Sequence, residues 1–176
     1  LSDGSRVFLD TDTRIRERFN ETKRRVELDR GRANFEIAAD PLRPFVVDAA
    51  GQRIVANDTI LDIRRDDLAV SVVLLQGHAT VAPTNGAVEK KALAQGERLV
   101  AAPVQGIRLD KPNLTPLLAW QNGQAIFDNE SLSDAVREMN RYSRTKLVVG
   151  ADVGRLRISG IYRVGDNQAF AKSVAT

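Results

Sequence analysis

The chain has 176 residues and a formal net charge of +3, with 43% hydrophobic and 5% aromatic residues and a sequence pI near 9.5. That length makes one domain or two small ones, with a core of Val, Leu, Ile and Ala. Acids interleave with the arginines, unlike the concentrated basic face of a nucleic-acid binder. The lack of cysteine excludes a thiol nucleophile, a disulfide framework and a cysteine metal site, and mildly favours an exported protein. No stretch approaches the roughly 20 apolar residues that span a bilayer.

In chain order, residues 6–9, 14–19, 24–28, 33–37 and 45–47 read as short, mostly alternating strands. Turn residues separate them: Asp3-Gly4, Asn20, Asp29-Arg30-Gly31, Asp40-Pro41 and Ala50-Gly51. Residues 59–63, 69–75, 79–81 and 99–100 continue the pattern, and residues 83–91 read as an exposed loop. No helix is expected before Asn129. Short strands with frequent turns predict a mainly β N-terminal domain, a β-solenoid or a sandwich, over residues 1–112.

An internal echo runs through it. Gly31-Arg-Ala-Asn-Phe35, Gly77-His-Ala-Thr-Val81 and Gly123-Gln-Ala-Ile-Phe127 share one form, and Gly96-Glu-Arg-Leu-Val100 is a weaker copy. The four copies are unequally spaced, which fits hairpin turns as well as solenoid coils.

Residues 113–122 read as a linker, since Pro112 and Pro116 and the polar residues break the periodicity. Trp120, the lone tryptophan, is expected to be buried at the junction of the two modules. Residues 123–176 predict a small α+β domain of order βαββα. A strand at 124–127 leads to a helix with Leu132, Ala135, Val136, Met139 and Tyr142 at helical spacing. Ser131 and Asp134 form a capping pair. Strands at 147–150 and 156–162 and a helix from Asp166 follow.

Chemistry finds little to use. His78 is the only imidazole, with no carboxylates at ligand spacing, so no metal site and no cofactor is expected. No glycine-x-serine-x-glycine elbow or phosphate loop occurs, and Asp66-Asp67 beside Arg64-Arg65 reads as a charged loop. An enzyme is not expected. Arg14, Arg16 and Arg18, with Lys23, Arg24 and Arg25 after the turn, read as a solvated strand face balanced by Glu17, Glu21 and Glu27. A binding module is the remaining reading. Its candidate contacts are Arg137, Arg141, Tyr142, Arg157 and Tyr162. A glycan-binding or structural assembly β module is the alternative, with Trp120, Tyr142 and Tyr162 as the available aromatics.

Residues 1–5 (Leu-Ser-Asp-Gly-Ser), 25–37, 43–47, 77–81 and 120–123 resemble, in order and spacing, the periplasmic region of FecR-type sigma-factor regulators. The helix ending in Asn140-Arg141-Tyr142 resembles the start of that family's second unit, which is similar to the secretin and TonB short N-terminal (STN) domain. The resemblance implies a periplasmic part of a single-pass inner-membrane protein, with the membrane helix upstream of Leu1. It implies two partners: the N-terminal signalling domain of a TonB-dependent outer-membrane receptor, and an extracytoplasmic-function sigma factor bound through a cytoplasmic segment. Proteolysis of the regulator would free the sigma factor. Two departures stand out. Asn57-Asp58-Thr59 replaces the family's usual glycine-threonine pair, which aspartate tolerates in a left-handed turn. The chain also stops within the second helix of the STN-like unit, which is then incomplete, with an open sheet edge.

Overall fold

The structure, a computed structural model, describes residues 1–67, 69–85 and 90–175. The chain divides into two compact units, Leu1–Pro112 and Asn113–Thr176.

The first unit is one mixed sheet of nine strands: β1 (Arg6–Leu9), β2 (Arg14–Phe19), β3 (Arg24–Ile37), β4 (Phe45–Ala49), β5 (Gln52–Asp66), β6 (Ala69–Pro83), β7 (Lys91–Leu93), β8 (Arg98–Ala102) and β9 (Gly106–Asp110). The path runs β1-β3-β4-β5-β6-β8-β9, with β2 also on β3 and β7 also on β6. The expected short strands are corrected by three long ones. β3 and β6 each join two sequence-predicted pieces, and β5 extends the one predicted at 59–63 back to Gln52. Part of the loop expected at 83–91 falls on residues 86–89, outside the described residues.

The joins explain the long strands. Gly31 and Gly77, read as turn residues, do not reverse the chain. Each bends a strand at φ +86° and +87°. Opposite Gly31 stands Thr13; its Oγ1 accepts from Arg32 N at 2.9 Å and donates to Arg32 O at 3.0 Å. Opposite Gly77 stands Thr59, whose Oγ1 donates to His78 O at 3.0 Å and accepts from His78 N at 3.4 Å. The hydroxyl fills the gap that a bulge opens in the ladder. Asp12 and Asp58, before each threonine, share positive φ values of 49° and 50°. A Cβ on Gly31 would lie 2.4 Å from Thr13 Oγ1, and one on Gly77 2.5 Å from Asp58 O. The same device therefore recurs 46 positions along (31 to 77, 13 to 59). Gly123 follows after another 46 (77 to 123) but serves as the left-handed cap of a 3-10 turn, and Gly96 lies in the turn before β8. Two of the four echoes are thus one repeated bulge.

The sheet folds its apolar residues into one core. Val26, Leu28, Phe35, Phe45, Ile54, Leu61, Ile63, Val72, Leu74 and Leu99 are all fully buried. Alternation in β3 also turns Arg24 inward beside Val26 and Leu28. Its guanidinium is fully buried, donates to Arg43 O, Ala38 O, Asn57 Oδ1 and Asp3 Oδ2 at 2.7–2.9 Å, and stacks over Phe45. Asp3 also accepts from the Ser5 amide and hydroxyl. The segment Asp3-Gly4-Ser5 is thereby pinned to the core.

The second unit holds α1 (Leu114–Leu118), a 3-10 turn (Ala119–Asn122), β10 (Gln124–Ser131), α2 (Leu132–Arg141), β11 (Arg157–Arg163) and α3 (Asn167–Val174). The stretch read as a linker is helical and clusters with this unit. Asn113 caps α1 by accepting from Thr115 N, and Pro116 sits in the first turn, where no amide is required. Trp120 is half-buried in the 3-10 turn rather than largely buried.

β10 and β11 pair antiparallel as a two-stranded sheet, with a bulge at Asn129 (φ 53°). Ser131 caps α2 by accepting from Asp134 N at 3.1 Å and donating to Asp134 Oδ2 at 2.5 Å. Leu132, Ala135, Val136 and Met139 pack with Phe127 and Phe170. The strand expected at 147–150 is not formed, so the order is βαβα. There Asn140 takes the place of a neighbouring strand. Its side-chain amide donates to Leu147 O at 2.9 Å and accepts from Leu147 N at 2.8 Å. The backbone groups of Leu147 thus have partners without a ladder. Asn167 Nδ2 then ties Asn140 Oδ1 to Thr145 O.

Candidate functional site

The five sequence-derived contact residues fall in different settings. Arg137 and Arg141 lie on α2 four residues apart, on one face of the helix. Arg137 pairs with Asp134 at 2.6 Å and is 74% exposed. Arg141 pairs with Glu138 at 2.8 Å, lies over the Tyr142 ring at 5.6 Å, and is only 18% exposed. Tyr142 is half-buried at the end of the helix. The α2 charges are thus engaged in short-range pairs within their own helix. The Asp134 carboxyl is held below its ordinary value, first by the Ser131 hydroxyl and then by Arg137.

β11 carries the other two, five positions apart and hence on opposite faces. Tyr162 turns inward, with ring centroids 5.6 Å from Phe127 and 4.8 Å from Phe170. It is half-buried and packs against the core of the unit. Tyrosine suits a core and a contact alike, and only the fold decides between them. Arg157 points out, is exposed, and donates to Asn129 O across the bulge at 3.1 Å.

Sequence reading missed Ile161. It stands between Arg157 and Arg163 on the outer side of β11, opposite Ile126, and is 65% exposed. The period-2 pattern of 157–163 held the signal, since it places Ile161 opposite in face to Tyr162. Among the described residues, each strand of this sheet pairs on one side only. The second edge of β11 therefore presents unpaired backbone groups. His78 is exposed on β6, and no cluster of three His, Asp or Glu side chains converges among the described residues.

Residues 1–80 match the family model described as FecR protein. The N-terminal unit carries a FecR-type region over those residues. The match ends inside β6, so it takes in both Thr–Gly bulges and the Arg24 clamp. Two crystal structures of a candidate anti-sigma factor from Parabacteroides distasonis ATCC 8503 share the fold. They align with TM-scores of 0.77 and 0.81 at 19% and 20% identity, covering 99% of this chain and 83% of that one. A comparison with curated proteins gives no match. No helix of the described residues is long and apolar enough to cross a membrane.

Proposed function

We propose that this chain is the periplasmic, signal-receiving part of a membrane-anchored anti-sigma regulator, and that its second unit docks the signalling domain of a TonB-dependent outer-membrane receptor. The FecR match supports the regulatory role. The shared fold with a candidate anti-sigma factor agrees with it. The observation that carries the docking step is the two-stranded sheet with an open β11 edge beside exposed Ile161 and Arg157. A partner strand would add to that edge through backbone hydrogen bonds, while Arg157 and Ile161 select it by charge and apolar contact. The second unit then acts as the STN-like docking unit, and the first unit holds the chain's start through Asp3 and Arg24. Sigma-factor control would run through the cytoplasmic segment that the family resemblance implies.

The test is calorimetric titration of the cognate receptor signalling domain into wild type, Arg157→Glu, Ile161→Lys and Arg141→Glu. The first two should weaken binding by about tenfold or more, the effect of losing roughly 1.4 kcal/mol. Arg141→Glu should change affinity less, since that side chain is already engaged. Wild-type affinity in both β11 variants would remove this edge from the reading.

A further inference from the structure

β2 and β9 are both edge strands of the first unit; each pairs on one side only among the described residues. They are built differently. In β2, Glu17 lies opposite the buried Val26, on the core side between Ile15 and Phe19, and accepts from the Ser2 hydroxyl at 2.8 Å. A strand added there would bury that carboxylate, and inward-pointing charges guard sheet edges in this way.

β9 has no such guard. Its register sets Ile107 against Ala101 and Leu109 against Leu99, and those two partners are 5% and 0% exposed. Ile107 and Leu109 therefore continue the core face of the sheet to its last strand. Yet they stay 41% and 43% exposed in the whole chain. The other face carries charge. Arg108 is 66% exposed and reaches Asp110 of its own strand only at 3.3 Å. Asp110 accepts from Arg98 Nε and Nη2 at 2.8 and 2.7 Å. That uses about two of a carboxylate's roughly four acceptor sites, and the Asp110 side chain stays 30% exposed.

The order Ile107-Arg108-Leu109-Asp110-Lys111 complements itself when read antiparallel. Consider the registers that keep both core faces on one side. Centred on Arg108 or on Asp110, like charges oppose each other, which destabilises a sheet. Centred on Ile107, no opposite charges meet. Centred on Leu109, each Arg108 faces the other copy's Asp110, the two Leu109 side chains meet, and the Lys111 stem lies over Ile107. β1 offers no such match, because its acid, Asp10, is buried.

We propose that two copies of this chain join β9 to β9, antiparallel and centred on Leu109, into one continuous sheet. The contact is independent of the β11 edge. A five-residue strand is small against the roughly 1,200 Å² that a stable complex buries, so the dimer is reversible and forms at high protein concentration.

Sedimentation velocity over a rising concentration series tests this. Wild type should shift from monomer to dimer. Arg108→Glu, which faces Asp110 with a like charge, and Leu109→Lys should each weaken association by about tenfold or more. Ile161→Lys, on β11, should dimerise as wild type does. The chain has no cysteine, so one introduced thiol reports the register. Under mild oxidation, Leu109→Cys should form a disulfide-linked dimer about tenfold faster than Ile107→Cys. Directly opposite Cβ atoms lie about 5 Å apart, whereas the two copies of residue 107 are offset by about 13 Å along the strands. Melting temperature is read for every variant. If Leu109→Lys melts low, the two cysteine variants carry the comparison. A wild type that stays monomeric throughout, equal oxidation rates at 107 and 109, or a dimer lost in Ile161→Lys overturns the proposal. So does a monomeric chain whose Leu109→Lys variant loses affinity for the receptor signalling domain, which assigns the edge to that partner instead.

Discussion

The two units solve the same problem by different means. The first unit encloses charge. Arg24 is fully buried against Asp3, and the Arg32–Asp62 pair at 2.8 Å is nearly as deep, at 7% and 3% exposure. The second unit encloses rings and amides. Phe170 packs edge to face on Phe127 and Tyr162, whose own rings are tilted against each other, and Asn140 and Asn167 link its loop to its helices. The difference follows from size and chain path. A sheet of long strands turns an arginine inward wherever its alternation demands, and has backbone carbonyls nearby to receive it. A 64-residue unit with a two-stranded sheet has few such groups, so large apolar side chains carry it.

Breaking each unit at its own device sharpens that contrast. The largest effect is expected for Arg24→Ala. It strands the Asp3 carboxylate and several carbonyls, and should destabilise the first unit by about 3–5 kcal/mol. Phe170→Ala should cost the second unit a similar ~3–5 kcal/mol, from the lost ring contacts and the cavity left behind. Urea unfolding with hydrogen exchange by region checks both: each variant should lower protection in its own unit first. Loss of protection in the second unit alone after Arg24→Ala would break the comparison.

A smaller effect tests the repeated bulge. Gly77→Ala puts a Cβ 2.5 Å from Asp58 O at φ +87°, and should cost about 2–3 kcal/mol. Gly51→Ala has a similar φ of +74° but nothing within 4 Å, and should cost about 1 kcal/mol. Equal urea midpoints for the two variants would show that the close approach to β5 has no consequence.

Acid should then act more strongly on the first unit. Burial alone would push the Asp3 carboxyl up, but the Ser5 hydroxyl and amide and the Arg24 guanidinium together hold it below its ordinary value of 3.8. A carboxyl lowered on folding contributes stability that is fully present above its unfolded value. That contribution is lost as pH falls through the folded value. The wild-type unfolding midpoint should drop between pH 6 and pH 3 by more than that of Asp3→Asn. Asp134 in the second unit shifts the same way but is 44% exposed, so solvent screens it. An identical pH response in wild type and Asp3→Asn would remove the clamp from the acid behaviour.

The smallest effect belongs to α2. Arg141→Glu exchanges an attractive pair with Glu138 for a repulsive one, and should lower stability by under about 1 kcal/mol. A thermal melt lowered by more than a few degrees would show that Arg141 is a structural residue.

Much of the fold was legible in local pattern. The limits of β1 and β2, the start of β3, the Ser131 cap and the apolar stripe of α2 follow from alternation, helical spacing and capping chemistry, which need only near neighbours. The division after Pro112 coincides with the loss of strand periodicity. Local pattern did not decide how strands join. Gly31 and Gly77 suit a reversal or a bulge equally well, and the choice rests on Thr13 and Thr59, 18 positions earlier in each case (13 to 31, 59 to 77). Nor did it decide which polar residues go inside. Alternation with Val26 and Leu28 pointed Arg24 inward, yet its burial depends on Asp3, Ala38, Arg43 and Asn57 arriving from three other segments. The candidate contacts divided for the same reason. Arginine and tyrosine types marked Arg157 and Tyr162 alike, and the pleat of β11 sent one out and the other against the core. The sequence by itself determined which segments extend, coil and cap, because those depend on neighbours along the chain. Only the tertiary structure decided the bulges, the buried arginine, the strand that Asn140 replaced and the exposed edge of β11, because each depends on groups that meet only after the chain has folded.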